Sequence, residues 1–167
     1  KKKANRLKSI VCDISDCSDV KNFVKPKRFI ALFSVLFDGD RLVSYKRVNS
    51  AEEIVKGEKA VCFYWAYMLP SDFYNGYTYI DTLNKNAVTD FLKSTHEVYK
   101  EKFGEKFGKE IKGIFQDEVN RGPLFNGFVL GDKDCLKKVP YTYRLFEEFK
   151  KIKKYDLKER LPELYFR

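Results

Sequence analysis

The runs Phe29-Ile30-Ala31-Leu32-Phe33-Ser34-Val35-Leu36-Phe37 and Arg41-Leu42-Val43-Ser44-Tyr45-Lys46-Arg47-Val48 stand on either side of Asp38-Gly39-Asp40. Both are rich in β-branched and aromatic residues, and an Asp-Gly pair between such runs is a short-range signal for a tight antiparallel hairpin. Arg6 to Asp13, centred on Ile10 and Val11, reads as a further strand. The stretch Ala60 to Leu69 is apolar almost throughout, which fits a strand covered on both faces, and Pro70 ends it. A loop from Ser71 to Leu83 follows. Asn84 then caps a helix that is expected to run to about Phe103 and stop at Gly104, burying a stripe of Val88, Phe91, Leu92, Thr95, Tyr99 and Phe103. Ile111 to Asp117 reads as the next strand. Strand, helix and strand in that order predict a right-handed crossover between parallel strands.

The segment from Val119 to Pro140 is a long loop, and such loops in compact domains are more often functional than incidental. Thr142 is placed to cap a second helix with Leu145, Phe146, Phe149 and Ile152 on its buried side. The tail Leu161-Pro162-Glu163-Leu164-Tyr165-Phe166 is apolar, which suggests that more protein would follow it. A chain of 167 residues can bury one ordinary core, so residues 1–167 are read as a single domain or part of a larger one. An aromatic content of 16% is too high for a disordered chain.

Composition also narrows the partners. The net charge of +9 permits an anionic ligand, but the lysines are scattered, and Lys150-Lys151-Ile152-Lys153-Lys154 reads as the solvated side of a helix rather than a nucleic-acid surface. No apolar run approaches the roughly 18 residues that cross a bilayer, so no membrane partner is expected. Cys12, Cys17, Cys62 and Cys135 show no paired C-x-x-C spacing and His96 is the sole histidine, so no metal is expected. Cys62, inside an apolar run, reads as a small hydrophobe. Gly104, Gly108 and Gly113 precede a strand instead of following one, so no nucleotide cofactor is implied. Location stays open between cytoplasmic and secreted.

The segment Lys112-Gly113-Ile114-Phe115-Gln116-Asp117-Glu118 ends in two adjacent carboxylates. Side chains alternate along a strand, so one of them can face a cavity while the other is held by nearby backbone. Barrel enzymes carry catalytic acids at the carboxyl ends of strands, which singles out Glu118, with Asp117 as its supporting acceptor. In a parallel unit the loops after Leu69 and after Glu118 emerge at one end of the sheet. Asp81, Tyr77, Tyr79, Asn120 and Arg121 then gather near Glu118, a mixture of stacking faces and hydroxyl binders that suits a carbohydrate. Each has a plainer reading too: Asp81 anchors its loop and the tyrosines pack as walls. Trp65, mid-strand, reads as a core residue or as one lining the sugar pocket, and His96 packs beside the helix stripe.

Three stretches in order resemble the catalytic barrel of large bacterial glycoside hydrolases of the α-L-rhamnosidase-like and related sugar-processing kind. They are Gly76-Tyr77-Thr78-Tyr79-Ile80-Asp81-Thr82-Leu83-Asn84 with Ala87-Val88-Thr89-Asp90-Phe91-Leu92, then Thr95-His96-Glu97-Val98-Tyr99, then Gly113 to Glu118. Val139-Pro140-Tyr141-Thr142 and the tail look like the family's next helix and its end. The resemblance implies an α/β fold, part of a TIM-type (β/α)8 barrel with parallel strands, to which the antiparallel hairpin is added near the N-terminus. It implies a chain that is a piece of a longer enzyme, since a whole barrel needs around 250 residues, and one that self-associates through its uncovered edges. Glu118 matches the family's strand-end acid and is implied to be the general acid or acid/base for cleaving a glycosidic bond, with no cofactor. Val119 departs from the proline usual at that point. Two rival readings stand beside this one: a non-catalytic sugar-binding or scaffold domain, and a basic nucleic-acid-binding domain.

Overall fold

The computed structural model describes residues 3–13, 26–70, 72–115 and 139–166. Five strands form one sheet: β1 Asn5–Cys12, β2 Phe29–Asp38, β3 Arg41–Val48, β4 Lys59–Tyr67 and β5 Val139–Tyr141. Their order across the sheet is β3-β2-β4-β1-β5, and every neighbouring pair is antiparallel. The sheet curls into a half-barrel.

The hairpin forms where its sequence places it. Asp38 pairs with Arg41, and Gly39 takes a positive φ of 57° that a side chain would strain, so the Asp-Gly signal acts through glycine's missing Cβ. Between the pairs Phe37↔Leu42 and Leu36↔Ser44, Val43 is an extra residue. This bulge lets Leu42 and Tyr45 both pack against the main core despite their odd spacing.

β4 lies at the centre of the sheet, and its continuous apolar run is explained by that position. Val61 and Phe63 point into a core with Leu7, Ala31, Phe33 and Val35, roofed by helix α3, Leu145–Lys153, through Phe146 and by the 3-10 segment Leu157–Leu164 through Leu157 and Leu161. Ala60 and Cys62 point the other way, into a smaller core with Leu32, Val48 and Ile54. Cys62 is fully buried there, as a small hydrophobe. The apolar tail folds onto the main core: Phe166 meets Phe37 edge-on at 5.1 Å, and the Tyr165 hydroxyl donates to the Leu7 carbonyl at 2.7 Å.

The parallel (β/α) barrel is not what forms. The expectation fails because β4 finds both its partners among antiparallel strands, β2 and β1, which come earlier in sequence. The expected return strand from Ile111 is absent over its described part: among the described residues Ile111 bridges only to Phe107, and 112–115 join no strand. A run covered on both faces belongs to parallel sheets most often, but here α3 and the C-terminal segment cover one face of an antiparallel sheet and the turn around Ala51–Glu53 covers the other.

The helical stretch after Asn84 is two helices, α1 Lys85–Ser94 and α2 His96–Phe103, broken at Thr95, whose φ/ψ of −122°/−77° is not helical. The Thr95 hydroxyl donates to the Phe91 carbonyl at 2.6 Å, a side-chain bond that competes with the helix ladder. The expected buried stripe is mostly outside: Phe91, Leu92, Tyr99 and Phe103 are exposed and only Ala87 of α1 is buried. Ile152 of α3 is likewise 72% exposed, while Phe146 is buried as expected. Thr142 does not cap α3 with its side chain; it offers its carbonyl to the Leu145 N–H at 3.0 Å. Asn84 does cap α1, accepting the Asn86 N–H at 3.1 Å. Asn84→Ala is therefore expected to lower the unfolding free energy by about 1 kcal/mol in urea denaturation, the usual cost of a lost N-cap; an unchanged midpoint would remove the cap from the account. No helix among the described residues is long and apolar enough to cross a membrane.

Candidate functional site

Strand pairing sets up one aromatic row. Asn5 of β1 pairs with Tyr67 of β4 on one side and with Tyr141 of β5 on the other, so these three side chains share a face at one end of the sheet. Trp65 is two residues before Tyr67 and joins them. Its ring lies nearly parallel to that of Tyr141, with centroids 6.0 Å apart and planes 15° apart, and meets Tyr67 edge-on at 5.1 Å. Asn84 and Asn86 at the start of α1, with Tyr143 beyond β5, close this row into a recess of about 570 Å³.

The polar groups in the recess have distinct roles. The Asn84 oxygen is taken by the helix cap, which leaves its NH2 as a donor. Asn5 Oδ1 is buried and has no hydrogen-bond partner among the described residues. Burial raises the Tyr141 hydroxyl above the usual phenol range, which keeps it neutral and able to donate. At the β2 side of the row, the Arg28 guanidinium lies over both rings, 5.4 Å from the Trp65 centroid and 5.0 Å from that of Tyr67. A second recess of about 430 Å³ shares Asn84, Asn86 and Tyr143 and adds Lys85, Thr142 and Arg144.

Of the residues singled out in the sequence, Trp65 lines the recess. Asp81 does not; it lies beneath, 4% exposed, with Oδ1 accepting the Leu83 N–H at 3.2 Å. Its other oxygen and the Thr142 hydroxyl are both buried and close enough for Thr142 to act on the carboxyl, yet neither completes a well-formed hydrogen bond among the described residues. Burial raises the Asp81 pKa, and Thr142 and the Leu83 N–H only partly oppose this. Asp81 thus anchors its loop. An acid raised on folding loses its proton first in the unfolded chain, so it erodes stability as pH rises from the ordinary Asp value. Asp81→Asn keeps the bond to Leu83 and is expected to add about 1 kcal/mol at neutral pH, with no gain below about pH 3. Denaturant melts at both pH values check this, and equal gains at both would sink it.

Tyr77 is 74% exposed and Tyr79 tilts against Tyr74 at 5.3 Å, so neither lines the aromatic recess. Tyr79 contributes through its backbone, accepting the Ala4 N–H at 2.9 Å beside the start of β1. Glu118, Asp117, Asn120 and Arg121 lie outside the described residues. His96 is exposed, with Nδ1 2.9 Å from the Thr95 hydroxyl, and its ring meets Phe91 edge-on. No cluster of metal-ligating side chains occurs among the described residues.

Asn5, Arg28, Tyr67, Tyr141 and Tyr143 are site residues that the sequence reading passed over. The alternation Trp65-x-Tyr67 was the one available signal, since residues two apart on a strand share a face. Stacking faces flanked by side-chain amides can hold a small ring that carries hydroxyl groups. Comparison with protein-family models, with curated proteins and with solved structures finds no match to this chain, so the recess has to be interpreted from its own chemistry.

Proposed function

We propose that this chain recognises carbohydrate, with a sugar ring lying in the recess between Trp65, Tyr67, Tyr141 and Tyr143. The observation that carries the reading is the near-parallel Trp65 and Tyr141 rings in a recess also lined by Asn84 and Asn86. A pyranose has an apolar face of C–H groups that packs on an aromatic ring, and equatorial hydroxyls that both donate and accept. The Asn84 NH2 donates to one of these hydroxyls. The volume of about 570 Å³ falls within the roughly 300–1,000 Å³ typical of small-molecule sites.

Trp65 is the sole tryptophan, so the emission of the unmodified protein reports the recess directly. Titration with a panel of neutral and acidic oligosaccharides is expected to give a saturable shift in that emission. A flat response to the whole panel would overturn the reading. Hydrolysis is the second reading, favoured by the stretch Gln116-Asp117-Glu118, and release of reducing ends during the same titration is what it requires.

A further inference from the structure

Given that carbohydrate reading, we infer that Arg28 makes the recess selective for acidic sugars, its guanidinium pairing with a carboxylate or sulfate on a ring seated against Trp65. Arg28 stands just ahead of β2, in the 3-10 turn Pro26–Arg28, and its guanidinium lies over two rings that also line the recess, Trp65 and Tyr67, whose planes stand 89° apart. A cation–π contact uses none of the guanidinium's hydrogen-bond donors, so its N–H groups stay available to a carboxylate or sulfate, which they fit two bonds at a time.

No described carboxylate meets that need. Glu159 pairs with Arg47, Asp13 with Lys59, Glu163 with Arg160, Glu110 with Lys106, and Glu147 and Glu148 with Arg144 and Lys151. Among the described residues Arg28 has no ion pair. A half-buried cation left unpaired beside an open aromatic recess is arranged for an anion that arrives with the ligand. The surplus of +9 over the chain favours the same sign of partner.

The test follows Trp65 emission during titration with trigalacturonate, with its neutral counterpart galactotriose, with a sulfated galactose oligosaccharide and with a short oligothymidylate. At low salt one acidic sugar is expected to bind at least about tenfold tighter than the neutral one, and the uronate and sulfate arms show which anion the fork prefers. That preference should shrink as salt rises, vanish in Arg28→Gln, and persist only in part in Arg28→Lys, which keeps the charge and loses the planar fork. Thermal melts of both variants confirm that the sheet is intact. Equal binding of neutral and acidic sugars, or a preference that survives Arg28→Gln in a folded protein, overturns the role of Arg28 and leaves sugar recognition standing. Silence towards all the sugars removes both, and tighter binding of the oligothymidylate assigns the stacked rings to nucleobases instead.

Discussion

Trp65→Ala is expected to weaken oligosaccharide binding by roughly 30- to 150-fold, about 2–3 kcal/mol, the worth of one large aromatic surface buried on a ligand. The indole is the floor on which the other walls depend: it lies alongside Tyr141, meets Tyr67 edge-on and has the Arg28 guanidinium over its ring. Removing it takes away the stacking face and loosens three neighbours at once. Trp65→Phe keeps an aromatic face at the same sheet position and should lose about tenfold or less. Calorimetric titration suits the variants, since the fluorescent reporter is gone. Equal affinity of the alanine variant and the parent would place the ligand elsewhere. Trp65 also borders the main core, so the comparison is made well below the melting temperature of each variant.

The largest expected effect on stability comes from Phe63→Ala, at about 3–5 kcal/mol. Phe63 is fully buried at the centre of β4. It meets Phe33 edge-on at 5.6 Å and Tyr165 at 5.3 Å, so it joins the sheet to the segment that roofs it. Against a total of about 5–15 kcal/mol for a small domain, such a loss takes a large share of the folded state's margin. Phe63→Leu keeps most of the volume and should cost about 1–2 kcal/mol. Urea unfolding at neutral pH separates the two. A loss under about 1 kcal/mol for the alanine variant would mean that Phe63 is not the keystone of this core.

What could be read from the sequence was local. The hairpin was legible because Gly39 and its flanking strands lie within twenty residues of one another, and the Asn84 cap because it acts on Asn86, two residues on. The strand around Ala60 to Leu69 was legible as a strand, but its direction relative to its neighbours was not. An apolar run records that both faces are covered and is silent on what pairs along its edges. The pattern of strand, helix and strand suggested a parallel return, while the real partners of β4 were β1 and β2, upstream of it. Helical spacing likewise identified the two helices after Asn84 but not their burial, since Phe91 and Leu92 recur correctly and still face outward.

The site was harder because it is assembled from distant pieces. Asn5, Arg28, Trp65, Asn84 and Tyr141 come from five separate segments, and only the register of β1 between β4 and β5 brings Asn5, Tyr67 and Tyr141 into one row. Trp65 was recognisable as a wall candidate because it is a large aromatic on a strand. Nothing near Asn5 or Arg28 in the sequence marks them.

The placement of β1 has a consequence in time. It is an interior strand whose neighbours lie about fifty and one hundred and thirty residues downstream, and the Tyr165 hydroxyl fastens it across 158 positions. Closing such large loops is slow, because the entropy is lost before the contacts that reward it are made. The β2–β3 hairpin can form in microseconds, whereas the row of Asn5, Tyr67 and Tyr141 must wait for β5. The recess is therefore one of the late products of folding, and the environment of Trp65 matures only when the most widely separated strands have met.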